Sequence, residues 1–317
     1  MSLLKVRNLK TYFYTRDGIV RAVDGVSFDI ERKQILGLVG ETGCGKSVTA
    51  FSILRLLPPY AKIEEGEIIL DNDNLLEKTE EEMRKIRGER ISAVFQHPTM
   101  ALNPAYTIGD QISTVIEYHS DMEKDEALSK AVQMLRLVGI PDPQDAIHKY
   151  PHELSIGMRQ RALIAIALAC NPDLLICDEP TSALDVTTQT AILGVLKDLR
   201  DTLGTAVIFI THDFGIVYDI CERVAVMYAG DIVELGDKSE IYNSSKHPYT
   251  EALINIVLKI EKASKEVAVI PGAVPNPLDP PSGCKFHPRC PHAEEVCSKV
   301  VPTSLLVGSN HYVKCLL

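Results

Sequence analysis

Three groups of residues in this chain have types and spacings suited to chemistry. The first is Gly40-Glu41-Thr42-Gly43-Cys44-Gly45-Lys46-Ser47, followed by Val48. Its spacing is G-x-x-x-x-G-K-[ST]. The glycines let the backbone curl so that successive N–H groups converge on phosphate oxygens, and the helix that follows adds positive potential at its N-terminus. Lys46 would neutralise β- and γ-phosphates, and Ser47 would ligate Mg²⁺. The second group is Asp178-Glu179, at the end of the apolar run Leu174-Leu175-Ile176-Cys177. Strand alternation turns the two carboxylates to opposite faces. Asp178 would serve the Mg²⁺ and Glu179 would polarise an attacking water. The third group is Cys284, Cys290, Cys297 and Cys315, spaced C-x5-C-x6-C-x17-C, while Cys44, Cys170, Cys177 and Cys221 are scattered.

Particular elements must position these groups. Ile35 to Val39 reads as a buried strand of a parallel sheet, and a helix is predicted from Lys46 to Leu57, stopped by Pro58-Pro59. Residues 1–30 alternate in strand fashion. Gly66 to Leu70, Ile91 to Phe95, Leu174 to Cys177, Ala206 to Ile210 and Val224 to Met227 read as further strands. The charge-dense stretch 77–90 reads as a solvated helix face. Leu128, Ala131, Val132, Leu135 and Val138 recur at helical spacing, as do Ile192, Leu196, Leu199 and Leu203 before Gly204. Strands alternating with helices imply an α/β fold with a mainly parallel sheet, and the helical stretch 97–170 reads as an inserted subdomain. Residues 271–291 hold seven prolines, so this segment is neither regular helix nor central strand.

Composition bounds the function. The chain has 317 residues and a formal net charge of −10, which argues against a nucleic-acid binder. The start shows no basic stretch followed by an apolar one, and no apolar run reaches the length of a membrane helix. An intracellular protein that meets a membrane through partners is the expectation.

Further motifs give the set a family likeness. Leu154-Ser155-Ile156-Gly157-Met158 resembles the signature loop of ATP-binding cassette (ABC) proteins, LSGGQ, and Ser182-Ala183-Leu184-Asp185 resembles their D-loop. His212 resembles the switch histidine and Gln96 the Q-loop glutamine, all in the family's order over about residues 1–240. The resemblance implies a P-loop NTPase cassette: a RecA-like parallel core, an N-terminal antiparallel β subdomain and an inserted α-helical subdomain. It implies that Lys46, Ser47, Gln96, Asp178, Glu179 and His212 hold one ATP, with Mg²⁺ at Ser47, Gln96 and Asp178. Ser155, Ile156, Gly157 and Asp185 would serve the ATP of an opposing subunit. An aromatic stacks on adenine in the family, aligned here with Phe13, flanked by Tyr12 and Tyr14. Two positions depart from the pattern: Ile156 stands where glycine is usual, and Met158 replaces glutamine. A β-branched residue there restricts φ and backbone approach.

The cysteine-bearing tail, 241–317, and His247-Pro248-Tyr249-Thr250 resemble the C-terminal extension of ATPases from dipeptide and oligopeptide importers. In that subfamily four such cysteines can hold a [4Fe–4S] cluster. The residues alone also admit zinc, with His287 and His292 as substitute ligands, or free or disulfide-bonded thiols. The resemblance implies an ATPase energising peptide import at the cytoplasmic face of the membrane. Its partners would be a second, related ABC ATPase, two transmembrane permease subunits and, indirectly, an external substrate-binding protein. A nickel or other solute importer, or a soluble non-transport ABC ATPase, are the alternatives.

Overall fold

The computed structural model describes residues 2–96, 98–182, 184–261 and 270–317. The chain divides into two compact units. One contains Glu31–Gln34 and Glu77–Ile208; the other contains Ser2–Ile30, Ile35–Leu76 and Phe209–Leu317.

In chain order the elements begin with β1 (Ser2–Thr15), β2 (Gly18–Glu31), β3 (Ile35–Val39), α1 (Lys46–Leu54), β4 (Ala61–Leu70) and β5 (Asp73–Asn74). Then come α2 (Glu80–Glu89), β6 (Ile91–Val94), α3 (Pro98–Ala101), α4 (Ile108–His119), α5 (Lys124–Leu137), α6 (Pro143–Ala146) and α7 (Ile156–Leu168). After these lie β7 (Leu174–Asp178), α8 (Val186–Leu203), β8 (Ala206–Thr211), α9 (Phe214–Ile220), β9 (Arg223–Tyr228) and β10 (Asp231–Asp237). The tail holds α10 (Lys238–Ser244), α11 (Pro248–Glu261), β11 (Leu305–Leu306) and β12 (Tyr312–Val313).

The unit that carries the tail holds an antiparallel sheet in the order β2-β1-β4-β5. In the same unit β3 runs parallel to β9, β10 runs antiparallel to β9, and β12 and β11 follow on the far side of β10. β3 and β9 are buried along their whole length, as strands covered on both faces must be. In the helical unit β6 and β7 run parallel. There α5 turns Ala127, Ala131, Met134 and Leu135 inward, and α8 does so with Ile192, Leu193, Leu196 and Leu199. These are the i, i+3, i+4, i+7 faces of amphipathic helices.

Two boundaries differ from expectation by several residues. α1 stops at Leu54, three residues short of Leu57, because Arg55 turns left-handed at φ +53 and the Leu56 N–H bonds back to the Phe51 carbonyl. β4 starts at Ala61, five residues early, because pairing with β1 extends to Phe13 opposite Ala61. α2 is a capped helix with only Met83 buried, and it leaves helical geometry at Arg87 and Gly88.

Candidate functional site

The phosphate loop joins β3 to α1 in the unit that carries the tail. Two of its glycines are demanded by close packing. A Cβ at Gly40 would stand 2.1 Å from the Met227 carbonyl oxygen, and one at Gly45 would stand 2.4 Å from that of Ala22. No other residue type fits such approaches. Lys46 is 6% exposed. Its ammonium donates to the carbonyls of Gly40 at 2.8 Å and Glu41 at 3.0 Å, and lies 3.7 Å from Cys44 Sγ. Burial pushes the Cys44 thiol up, so it is a neutral filler under the loop. Ser47 and Val48 follow, half-buried, in the first turn of α1. His212 lies exposed just after β8, next to Asp213, which caps α9.

β1 sorts the three aromatic candidates. The Tyr12 hydroxyl donates to Asp24 at 2.7 Å, and the Tyr14 hydroxyl donates to Glu64 at 2.7 Å. Phe13 shares its face with Thr11, whose hydroxyl meets that of Ser52 in α1 at 2.8 Å. Phe13 is thus on the side of the strand that faces the helix opened by the phosphate loop.

The helical unit carries the second carboxylate group. Asp178 ends the buried β7 and is itself 7% exposed. Glu179 follows with φ +48, a left-handed conformation that costs energy for a residue with a side chain. The Gln96 amide, just past β6, donates to a Glu179 oxygen at 2.9 Å. Two strands that run parallel therefore deliver these two residues to one place.

Ser155 is the N-cap of α7, its Oγ accepting from the Met158 N–H at 3.3 Å. Ile156 is the first helical residue and 51% exposed, and its φ is not left-handed. The expected backbone restriction is therefore not imposed, because helix position N1 accepts a β-branched residue. Gly157 is the position that needs glycine: a Cβ there would meet Thr188 at 2.7 Å. Asp185 caps α8, accepting from the Thr188 N–H at 2.9 Å and hydroxyl at 2.7 Å, and these bonds lower its pKa. Of the D-loop, Ala183 lies outside the described residues.

The tail packs around the phosphate loop through Phe286, Lys285 and Arg289, which the sequence did not single out. Phe286 is buried among Tyr228, Tyr249 and His247, with ring centroids 5.2, 5.3 and 5.6 Å away. Lys285 donates to Asp24 and to the Ala229 carbonyl, each at 3.0 Å. Arg289, 7% exposed, forms a two-pronged pair with the Glu41 carboxylate at 2.7 and 3.1 Å. A pair 248 residues apart leaves no local signal in a sequence.

The tail cysteines were expected to form a metal group. Among the described residues no three His, Cys, Asp or Glu side chains are grouped to hold a metal ion. The Cys284 N–H bonds to the Cys297 carbonyl at 2.8 Å. Burial first, then the neighbouring Cys315 and Cys297, push up the thiols of Cys284 and Cys290. The donor set suits a four-thiolate centre in its chemistry, although its side chains are not drawn into a coordination shell.

A strand-to-helix phosphate cradle, a strand ending in Asp-Glu and a capped helix opened by Ser155 define an ATP-hydrolysing cassette. The family profile described as "ABC transporter" matches residues 23–182, and that for the "Oligopeptide/dipeptide transporter, C-terminal region" matches residues 233–297. A probable peptide ABC transporter ATP-binding protein of Sinorhizobium fredii is 50% identical over 315 residues, spanning 99% of this chain and 94% of that protein. The dipeptide transport ATP-binding protein DppD of Bacillus subtilis is 46% identical over 316 residues, with 99% and 94% covered. A dimeric post-hydrolysis state of the ATP-binding cassette MJ0796, bound to ADP and Pi, superposes with a TM-score of 0.67 at 28% identity. That superposition covers 74% of this chain and 98% of the other. The chain belongs to the ABC transporter family, as an ATPase whose hydrolysis is coupled to transport. No helix among the described residues is long and apolar enough to cross a membrane.

Proposed function

We propose that this chain energises the import of di- and oligopeptides. The observation that carries the reading is the match of its C-terminal region to that of oligopeptide/dipeptide transporters, reinforced by relatives that bear those names. In this reading the chain sits at the cytoplasmic face of the membrane on two permease subunits, beside a related ATPase, and an external binding protein supplies the peptide.

In this reading the residue roles are those that the family resemblance implies. Loop N–H groups and Lys46 bind the phosphates, and Phe13 stacks on the adenine. Ser47, Asp178 and Gln96 hold Mg²⁺, which supplies charge neutralisation when bound. Glu179 orients and deprotonates the attacking water, with His212 on the γ-phosphate. Ser155, Ile156, Gly157 and Asp185 face the partner's nucleotide, where the N-terminus of α7 favours negative charge. Catalysis is then mostly positioning and charge stabilisation.

For the tail we assign the [4Fe–4S] cluster to Cys284, Cys290, Cys297 and Cys315, as a fastener rather than a redox centre; zinc is the alternative. Cys315 and Cys297 lie near enough to both Cys284 and Cys290 to add to the burial that pushes those two thiols up, which supports this donor set. Anaerobic purification with iron and sulfide analysis tests it: about four of each per chain is expected, and their absence removes the assignment. The transport reading is tested in proteoliposomes holding the full complex. ATP-dependent uptake of labelled peptide is expected, and uptake of nickel without peptide would overturn it.

A further inference from the structure

Glu41, the second residue of the phosphate loop, is held at each of its polar groups. Its N–H donates to the Tyr249 hydroxyl at 2.9 Å. Its carbonyl accepts from the Lys46 ammonium at 3.0 Å. Its carboxylate takes both prongs of Arg289. Tyr249 is fully buried and packs on Tyr228 at 4.6 Å. Two of these holds on Glu41 therefore come from the segment after residue 240; its carbonyl takes the phosphate-binding lysine and, at 3.3 Å, the Cys44 N–H.

Arg289 is built for this contact. A guanidinium has five N–H donors in a fixed plane. Here Nε donates to the Pro271 carbonyl at 2.9 Å. Nη1 donates to Glu41 at 2.7 Å and to the Tyr228 hydroxyl at 3.4 Å. Nη2 donates to Glu41 at 3.1 Å and to the Ile270 carbonyl at 3.2 Å. The plane also lies 5.8 Å from the centre of the Tyr228 ring. All five donors have acceptors, and a lysine could reproduce neither the fork nor the plane.

We propose that Arg289 is a positioning residue for ATP binding: through Glu41 it sets the carbonyls on which Lys46 rests, and so couples the tail to the phosphate loop. An ammonium has three donors, and in this structure they meet Gly40, Glu41 and Cys44. A phosphate must draw Lys46 partly off these partners, so the rigidity of Glu41 governs where the charge waits and how far it moves. Preorganised charge costs little reorganisation when the ligand arrives. The coupling is reciprocal: a nucleotide that shifts Lys46 and Glu41 also changes the hold on the tail.

This inference rests on the reading of Lys46 as a phosphate ligand, and the experiment separates the two. The full chain is titrated with a fluorescent mant-ATP and Mg²⁺, and the folding of each variant is checked by thermal unfolding. Arg289→Met and Glu41→Ala are each expected to raise the Kd about ten-fold, which corresponds to 1.4 kcal/mol. Glu41→Ala keeps the backbone groups that meet Tyr249 and Lys46, so it isolates the carboxylate. The double variant should be no weaker than the worse single one, because each change already removes the Arg289–Glu41 pair through which the coupling runs. Arg289→Lys should recover only part of the loss. Singles that leave Kd within two-fold of the parent, or losses that add, overturn the inference. Lys46→Ala should abolish binding; tight binding in that variant would instead overturn the phosphate-ligand reading.

Discussion

The Gln96 side-chain amide donates to Glu179 across 2.9 Å, joining the ends of two parallel strands. The bond fixes one oxygen of the carboxylate that would deprotonate water. Glu179→Gln should therefore bind ATP as the parent does and hydrolyse it at least about 100-fold more slowly, the scale of losing a general base. Mant-ATP titration and phosphate release measure the two halves. Turnover near the parent rate would remove Glu179 from this role.

Ser155 and Ile156 are separable. Removing the cap with Ser155→Ala should cost about 1 kcal/mol of stability, read by denaturant unfolding. Ile156→Gly should cost about 0.5–1 kcal/mol through the entropy of glycine in a helix. Because Ile156 already has ordinary helical geometry at N1, glycine should leave the backbone that faces the partner's nucleotide in place, and the variant should hydrolyse ATP with the partner subunit about as fast as the parent. A ten-fold rise would show that the isoleucine obstructs the opposing nucleotide.

His247 caps α11: its Nδ1 accepts from the Tyr249 N–H at 3.1 Å. Burial pulls its pKa down to about 4, from an unfolded value of about 6.5. Between these values the unfolded chain holds a proton that the native chain lacks, so stability rises with pH across the window. The contribution is complete above about pH 6.5 and is lost as pH falls to about 4, a span of about 3 kcal/mol. His247→Asn keeps a capping acceptor and removes the titration. Its unfolding free energy should be flatter between pH 4 and 6.5 than the parent's; equal slopes would sink this account.

Asp24 anchors Lys285. Burial pushes its carboxyl up, but the charge of Lys285 and the hydrogen bonds from Tyr12 and Lys285 outweigh this and leave it below the usual range. Stability from this pair is present above the unfolded carboxylate pKa and falls as pH drops through the native one. Lys285→Met should cost about 1 kcal/mol near neutral pH, the upper end for a partly exposed pair, and should shift the acid unfolding midpoint of the parent upward. An unchanged midpoint would show that the pair contributes nothing.

The elements that carry the nucleotide motifs were readable because they are local. β3, the start of α1 and β7 each follow from a few adjacent residues. Alternation puts Phe13 on the opposite face of β1 from its tyrosine neighbours, and the contact of Thr11 with Ser52 shows which face meets α1. Three features were not readable. The early start of β4 was masked by Lys62, Glu64 and Glu65, which are tolerated because that strand is half-exposed. The freedom of Ile156 depended on helix register, and the need for Gly157 depended on Thr188, a contact between two helices. The clamp of Arg289 on Glu41 joins the tail to the loop, and only the folded chain brings them together.

The outer side of β10 is paired with β12, which in turn meets the two-residue β11. Lys314 extends the match by bonding the Val233 carbonyl and the Asp231 carboxylate. A chain trimmed before β12 would bare a row of main-chain donors and acceptors, and bare rows recruit strands from other molecules. β11, whose two leucines face solvent, is too short to recruit one. The segment that grips the phosphate loop thus also serves as a selvedge, keeping neighbouring molecules from weaving into one another edge to edge.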